Sequence, residues 1–416
     1  MKLTGSLRVL SAVVAFAAGV SSGYAAQTLG PVTDEIGVVK INKGDPIFIG
    51  GYWVLSGPDT ALGVDQKRAV ELVFDEWQNR VAGHPIKFVA EDGQCNAEGG
   101  QTAAIKLASN PSIVLVIGPS CSSEATPGAP ILWKAGIPSI GTSPSAPSLT
   151  ASDRKPGYFG FVRTIYSDLF EGKFDAEYMY KVVGCRSLAT VHDGSPYAQQ
   201  LQAVAADDFK KLGGKVTAQE AVAPTDVDMR PMVTRIATGK PQCVYFPIFV
   251  AAAAQIARQA PEILPKGTHI FGGSALLAPG FIEAAGKASA GFKIFNPDTS
   301  PEAYGKKYPA FVQAYQKKFG EAPIQAFHAQ AHDGAQVALM AIQKVAKKDA
   351  EGNTYIGRKA LRDAIFATKG YDGLSGTITC NPNGDCGVFK GAVYEFTSSD
   401  PKTFKIGVNP KKIYPK

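Results

Sequence analysis

The 416-residue chain has no cysteine before Cys95, no C-x₂-C pair, no low-complexity tract and no internal repeat. The late first cysteine excludes a lipid-anchoring cysteine near the N-terminus. The missing C-x₂-C pair argues against a structural zinc site. Beyond the N-terminal segment, where Gly19 to Gly23 fits the pattern by chance of composition, no G-x-S-x-G occurs, so the nucleophile elbow of an exported hydrolase is absent. Gly280 to Lys287 loosely matches a phosphate loop, but its spacing is one residue too long and Ala288 stands in place of Ser or Thr. The expectation is no enzyme and no cofactor. Past the N-terminus no apolar run reaches membrane-spanning length; the longest, 246–257, is interrupted by Pro247 and Gln255. Charge is not organised in blocks either. Lys306-Lys307, Lys317-Lys318 and Lys347-Lys348 sit at helical spacing and read as solvated faces, which leaves no nucleic-acid or polybasic membrane patch.

What is present begins with an export signal. Lys2 and Arg8 precede an apolar stretch at 10–20, and Gly23-Tyr-Ala25 fits a small-x-small cleavage site, with the cut after Ala25 or Ala26. Removing those two charges lowers the net charge from +7 to about +5. The remaining chain is too long for one ordinary core, which predicts two domains. Six cysteines in an exported protein are expected as disulfides. Connectivity stays open from sequence, but three pairings are reasonable. Cys95 and Cys121 each lie just past an apolar strand, and Cys185 and Cys243 each sit at a strand start. Cys380 and Cys386 bracket Asn-Pro-Asn-Gly-Asp, whose Asn383-Gly384 is a hairpin-type turn.

From Ile47 onward, short apolar runs alternate with amphipathic stretches. A strand at 47–55 is followed by a helix near 64–81, in which Val70, Val73, Phe74 and Trp77 recur at three- and four-residue spacing. A strand at 86–90, a helix at 97–108, a strand at 113–117 with its helix, and a strand at 138–141 follow. The rhythm restarts with strands at 187–192, 214–222, 243–249 and 268–272, alternating with helices to 212, at 229–237 and at 251–260. Helices return at 304–319 and 325–346, and a terminal hairpin is expected from 376–379 and 392–396. Such βα repetition predicts an α/β fold of two doubly wound, parallel-sheet lobes.

One turn stands out. Gly118-Pro-Ser-Cys-Ser-Ser-Glu-Ala-Thr-Pro127 ends an apolar strand and opens a helix. Backbone amides there, with the hydroxyls of Ser120, Ser122 and Ser123 and the positive helix end, form a ready site for a carboxylate. A second serine-rich strand end follows at Ile137-Pro-Ser-Ile-Gly-Thr-Ser-Pro-Ser-Ala-Pro147. Ligands of open α/β sheets sit outside the carboxyl ends of strands. Ser56, Ser122 and Ser143 in the first lobe, with Tyr197 and Ser274 in the second, therefore predict a cleft that closes on a small solute.

These residues resemble the periplasmic binding proteins of branched-chain amino-acid ABC transporters, of the leucine/isoleucine/valine-binding kind. The resemblance covers nearly the whole chain beyond the signal. It is carried by Ser56-Gly-Pro58, Glu91-Asp-Gly-Gln-Cys95, Val116-Ile-Gly-Pro-Ser-Cys-Ser-Ser123, the 137–150 segment ending Ala146-Pro-Ser-Leu-Thr150, and Val191-His-Asp-Gly-Ser-Pro-Tyr197. It implies a type I fold with three crossing strands near 161–164, 292–297 and 384–391. The lobes would comprise 45–162 plus 296–385 and 163–295 plus 386–399, with a tail at 400–416. It also implies a Cys95–Cys121 disulfide beside the ligand, a periplasmic location, a monomer, and permease and ATPase partners. Residue by residue, Ser122 would hold a ligand carboxylate, Ser143 and Ser145 would touch its polar head, and Tyr197 would close from the second lobe. Phe249 and Phe327 would be aromatic walls, and Leu62 a further side-chain contact.

One departure matters. Relatives that bind α-amino acids place an acid in the second lobe at the position of Ser274, and the nearest acid in sequence is Glu283. A buried ammonium without a carboxylate partner costs several kcal/mol, about the effective penalty of an unpaired buried ion. The expected ligand is therefore a carboxylate without an ammonium: an aromatic, oxo or short aliphatic acid. Branched-chain amino-acid binding, or a non-transport sensor of the same fold, is the alternative. Each contact residue also has a plain structural reading, as a capping serine or a packed aromatic. His328 and His332, four apart with Asp333 adjacent, have metal-ligand spacing. Ala329 occupies the position where a metalloprotease needs Glu, so a packed helix face is expected instead.

Overall fold

The computed structural model describes residues 26–415, so the export segment expected at 1–25 lies outside the described residues. The first lobe begins with β1 (Ile47–Trp53) and α1 (Thr60–Glu76), then β2 (His84–Asp92), α2 (Ala97–Ala108) and β3 (Ile113–Ile117). It continues through α3 (Ser122–Lys134), β4 (Ser139–Gly141) and β5 (Phe161–Arg163). Its five parallel strands run β2-β1-β3-β4-β5, with Arg80–Val81 antiparallel on the outer edge. All five residues of β3 are buried, as a central parallel strand covered on both faces requires. The α2 and α3 helices pack closely because Gly100 faces Glu124: a Cβ at Gly100 would lie 2.5 Å from the Glu124 Cα.

The chain then crosses to the second lobe. There α4 (Asp168–Glu177), β6 (Ser187–His192), α5 (Pro196–Lys211), β7 (Lys215–Ala221) and α6 (Arg230–Thr238) precede β8 (Cys243–Phe246), α7 (Val250–Gln259), β9 (His269–Gly272), α8 (Pro279–Ala285) and β10 (Lys293–Pro297). A second crossing returns the chain to lobe 1 for α9 (Tyr308–Phe319), α10 (His328–Val345) and α11 (Arg358–Phe366). A third leads to β11 (Gly391–Glu395) and β12 (Lys411–Tyr414). The second sheet runs β7-β6-β8-β9-β10-β11-β12; β11 and β12 are antiparallel to their neighbours. The two lobes hold separate apolar cores, one around β1, α1 and α10, the other around β6, β8 and β10. No described helix is long and apolar enough to cross a membrane.

Several expectations need correction. The terminal hairpin does not form. Thr377–Ile378 pairs with Tyr371–Asp372, while β11 lies between β10 and β12. Residues 400–416 are not merely a tail, because β12 completes the second sheet. Before residue 45, Val38–Ile41 pairs with Thr354–Gly357 and joins the first lobe. The strand expected at 243–249 stops at Phe246, since Pro247 has no amide to donate. The helix expected at 304–319 is broken at Gly305, which takes φ +76° between Pro301–Tyr304 and α9. The α1 helix ends earlier than its apolar pattern suggests, because Gln78 and Asn79 both adopt positive φ.

Candidate functional site

Where the lobes meet, a small cavity of about 20 Å³ is lined by Leu62, Ser122, Ser143, Ser145, Tyr197, Phe249, Ser274 and Phe327. These eight were expected from sequence; Ser56 and Ser123, also expected at the cleft, do not line it, and their hydroxyls donate instead to Asp92 Oδ2 (2.5 Å) and the Cys95 carbonyl (2.6 Å). Ser120, expected in the carboxylate-binding turn, and Cys121, expected beside the ligand, also line the wall; Ala275 completes it and was not anticipated. Ala275 directly follows Ser274, so adjacency was a usable signal.

The first-lobe floor is built around α3. Cys121 is its N-cap and is bonded to Cys95; Cys185–Cys243 and Cys380–Cys386 are the other two disulfides. Glu124 folds back under the turn. Its Oε2 accepts from the amides of Ser120 (3.1 Å) and Cys121 (2.8 Å), and its Oε1 accepts from that of Cys95 (3.0 Å). Gly93 leaves the room: a Cβ there would sit within 2.4 Å of the Glu124 carboxylate. Burial pushes the Glu124 carboxyl up to about 7, although the three amides oppose it and the charge of Asp92 adds slightly. The amides expected to meet a ligand are thus partly used inside the protein. Among the described residues, those of Ser122 and Ser123 have no protein acceptor.

The serines differ in what they can still offer. The Ser122 hydroxyl oxygen accepts from the Ala146 amide at 3.1 Å, which leaves its proton available. Ser143 donates to the Ser120 carbonyl at 2.5 Å and accepts from Gln66 Nε2 at 2.8 Å, so its proton is already engaged. Ser145 is held by its carbonyl, which accepts from the Asp168 amide at 3.0 Å. Arg163, fully buried, clamps the loop around it, donating to the carbonyls of Pro144 (3.2 Å) and Ala146 (2.9 Å) and to Thr150 Oγ1 (2.7 Å).

Lobe 2 supplies the roof. Ser195 caps α5 and Pro196 opens it, which delivers Tyr197 to the cavity in the first turn. The Tyr197 hydroxyl lies 3.4 Å from Ser274 Oγ, and its ring meets that of Phe249 at 5.7 Å between centroids. Burial, with the charges of Glu171 and Asp168, raises its pKa well above 10, so it stays a neutral donor. Phe327, at the entrance to α10, closes the side wall from lobe 1.

The cavity wall contains no Asp, Glu, Lys, Arg or His. The acids that matter lie behind it. Asp168, Glu171 and Asp175 occupy one buried face of α4, with Tyr166 donating to Glu171 (2.8 Å) and Tyr245 to Asp175 (2.6 Å). Burial pushes all three above the ordinary carboxylate range. Sequence spacing pointed to Glu283 as the nearest acid to Ser274; in the fold it is the α4 acids whose charges act on the wall residue Tyr197. The two histidines do not converge. His328 Nδ1 contacts Asp65 (2.9 Å) and its Nε2 contacts Tyr308 (2.8 Å), whereas His332 faces Glu76 (3.2 Å). No metal-binding group of three or more ligands occurs among the described residues.

A periplasmic binding protein family model matches residues 46–399. The chain belongs to the periplasmic binding protein family. The members of that family bind solutes and are not enzymes. Leu/Ile/Val-binding protein BraC3 of Rhizobium johnstonii is 28% identical over 347 residues, 82% of this chain and 88% of the relative. A leucine-binding protein LivK structure from Thermotoga maritima superimposes with a TM-score of 0.75 at 23% identity, covering 85% of this chain and 96% of that one. An R. palustris ABC-transporter solute-binding protein in complex with benzoate superimposes with a TM-score of 0.70 at 21% identity, covering 88% and 95%. The two-lobed sheet architecture is that of type I periplasmic binding proteins.

Proposed function

We propose that this chain is the periplasmic receptor of an ABC importer, capturing a small carboxylate without an α-ammonium between its two lobes. The observation that carries the reading is the wall itself. It offers the Ser122 hydroxyl and unpaired amide at the start of α3 and three aromatic rings, with no acid to receive an ammonium. Neutral donors at a helix N-terminus suit a carboxylate, and Tyr197, Phe249 and Phe327 suit an aromatic or apolar body. The benzoate-bound neighbour supports this class. The branched-chain alternative is favoured by BraC3, named for leucine, isoleucine and valine.

In the proposed cycle the solute first meets lobe 1 at Ser122 and Ser145. Lobe 2 then closes, bringing Tyr197 and Phe249 over it, because the solute binds the closed form more tightly. The closed form is what the permease recognises, and separate ATPase subunits hydrolyse ATP. A thermal-shift panel on mature protein, unfolded and refolded to remove bound solute, tests the reading. Each α-amino acid is paired with its oxo acid, and benzoate and hydroxybenzoates are added. Stabilisation by carboxylates alone is expected; stabilisation by leucine or valine returns the protein to the amino-acid class.

A further inference from the structure

Away from the hinge, where the Asp168 amide donates to the Ser145 carbonyl (3.0 Å), three sets of side-chain hydrogen bonds join the lobes directly. Asp59, in the loop between β1 and α1, accepts from the Val250 amide at the first residue of α7 (3.3 Å). Ser148, in the turn after β4, pairs reciprocally with Gln200 on α5: its amide donates to Gln200 Oε1 (3.0 Å), and its hydroxyl accepts from Gln200 Nε2 (2.9 Å). Gln325, just before α10, donates from Nε2 to the Ser274 carbonyl (3.3 Å). They arise from three separate lobe-1 segments, and none uses an atom that a solute would supply.

The third contact is presented by a rigid support. Asp65, fully buried, accepts from the amides of Ile324 (3.1 Å) and Gln325 (3.2 Å), from the Tyr315 hydroxyl (2.7 Å) and from His328 Nδ1 (2.9 Å). This arrangement holds the segment that carries both Gln325 and the wall residue Phe327. None of Asp59, Gln200 and Gln325 lines the cavity.

We propose that Asp59, Gln200 and Gln325 are latch residues that set the rate of solute release without touching the solute. The inference rests on the reading of closure around a solute given above. A bond that exists only when the lobes meet biases the open–closed equilibrium by its own net worth. It acts on opening, and so on dissociation, while first capture on lobe 1 is unaffected. Ser148 and Gln200 lie at the cleft rim, where substitution leaves both cores intact, and Gln325 is the deepest of the three.

The test uses the whole mature chain with benzoate as the probe, comparing Asp59→Ala, Gln200→Ala, Gln325→Ala and the triple variant by stopped-flow binding. Each single change should speed release about fivefold, as expected for one net hydrogen bond, with association unchanged. The triple should reach roughly a hundredfold if the sites are independent. Gln200→Glu keeps the acceptor for the Ser148 amide and should stay near the parent. Release rates unchanged across the set overturn the proposal. A spin-label pair at K134C and K211C, read without solute, supplies a second measurement. Longer distances in the triple variant support the latch, and an unchanged distribution overturns it. If benzoate binds neither parent nor variants, the function reading fails, while the distance measurement still decides the latch. Should Gln325→Ala lower the unfolding midpoint sharply, the Asp59→Ala, Gln200→Ala double variant replaces the triple, with about a twentyfold faster release expected.

Discussion

Replacing Ser122 with alanine separates its two roles. In the folded protein Ser122 lines the cavity, and its Oγ accepts from the Ala146 amide at 3.1 Å, which leaves its proton to donate. Loss of that proton removes a hydrogen bond to a charged acceptor, worth about 1.5–3 kcal/mol, which corresponds to a roughly 10- to 150-fold weaker Kd. Loss of the oxygen leaves the Ala146 amide without its partner, at about 1–3 kcal/mol of stability. Ser143 is the internal control. It lines the same cavity, but its proton is committed to the Ser120 carbonyl, so Ser143→Ala should lower stability and change carboxylate affinity little. Isothermal titration with the carboxylate that stabilises the parent most, alongside denaturant unfolding of each variant without solute, reads both effects. Equal weakening by Ser122→Ala and Ser143→Ala, or no weakening by Ser122→Ala, would refute the assignment of the carboxylate to Ser122.

Other outcomes follow from the same geometry. Ser274→Glu places an acid beside the Tyr197 hydroxyl, which now lies 3.4 Å from Ser274 Oγ; carboxylate affinity should fall at least about tenfold, and an amino-acid panel by thermal shift would show whether ammonium-bearing solutes gain. Removing the Cys95–Cys121 bridge, which spans 26 residues of sequence, by the double change to serine should cost about 3–4 kcal/mol by the chain-entropy relation, and loosen the Ser122 turn, read by unfolding and titration together. Burial opposes charge on His332, but Asp333 and Glu76 prevail and lift its pKa to about 9. Its folded pKa is raised, so its stabilising contribution is complete below about 6.5 and disappears as pH rises through 9. Unfolding midpoints across that window should fall more steeply in the parent than in His332→Gln, and parallel curves would contradict the pairing.

The amino-acid order was enough for much of this molecule. Alternating five-residue apolar runs and amphipathic stretches specify βα units, because a strand buried on both faces must be continuously apolar and its covering helix must not be; β3 and α2 were readable for this reason. Ser122, Ser143, Tyr197 and Ser274 were legible because ligands of parallel sheets gather at strand ends; Ser145, Leu62, Phe249 and Phe327 were reached only through the resemblance to a known family. Pairing partners were less accessible. The hairpin expected from 376–379 and 392–396 looked sound locally, yet β11 found β10 and β12, since strand choice depends on which edge the chain reaches after its third crossing.

Tertiary structure alone decided how each site residue is spent. Two serines two residues apart, Ser143 and Ser145, are alike in sequence, but Gln66 and the Ser120 carbonyl consume the hydroxyl of one and not the other. The buried acids of α4 and the support of Gln325 by Asp65, 260 residues away, are long-range arrangements too. Local pattern reports the periodic exposure of a segment to water. Hydrogen-bond partners and burial of charge are set by which distant segments are packed against it, and that information exists only once the chain has folded.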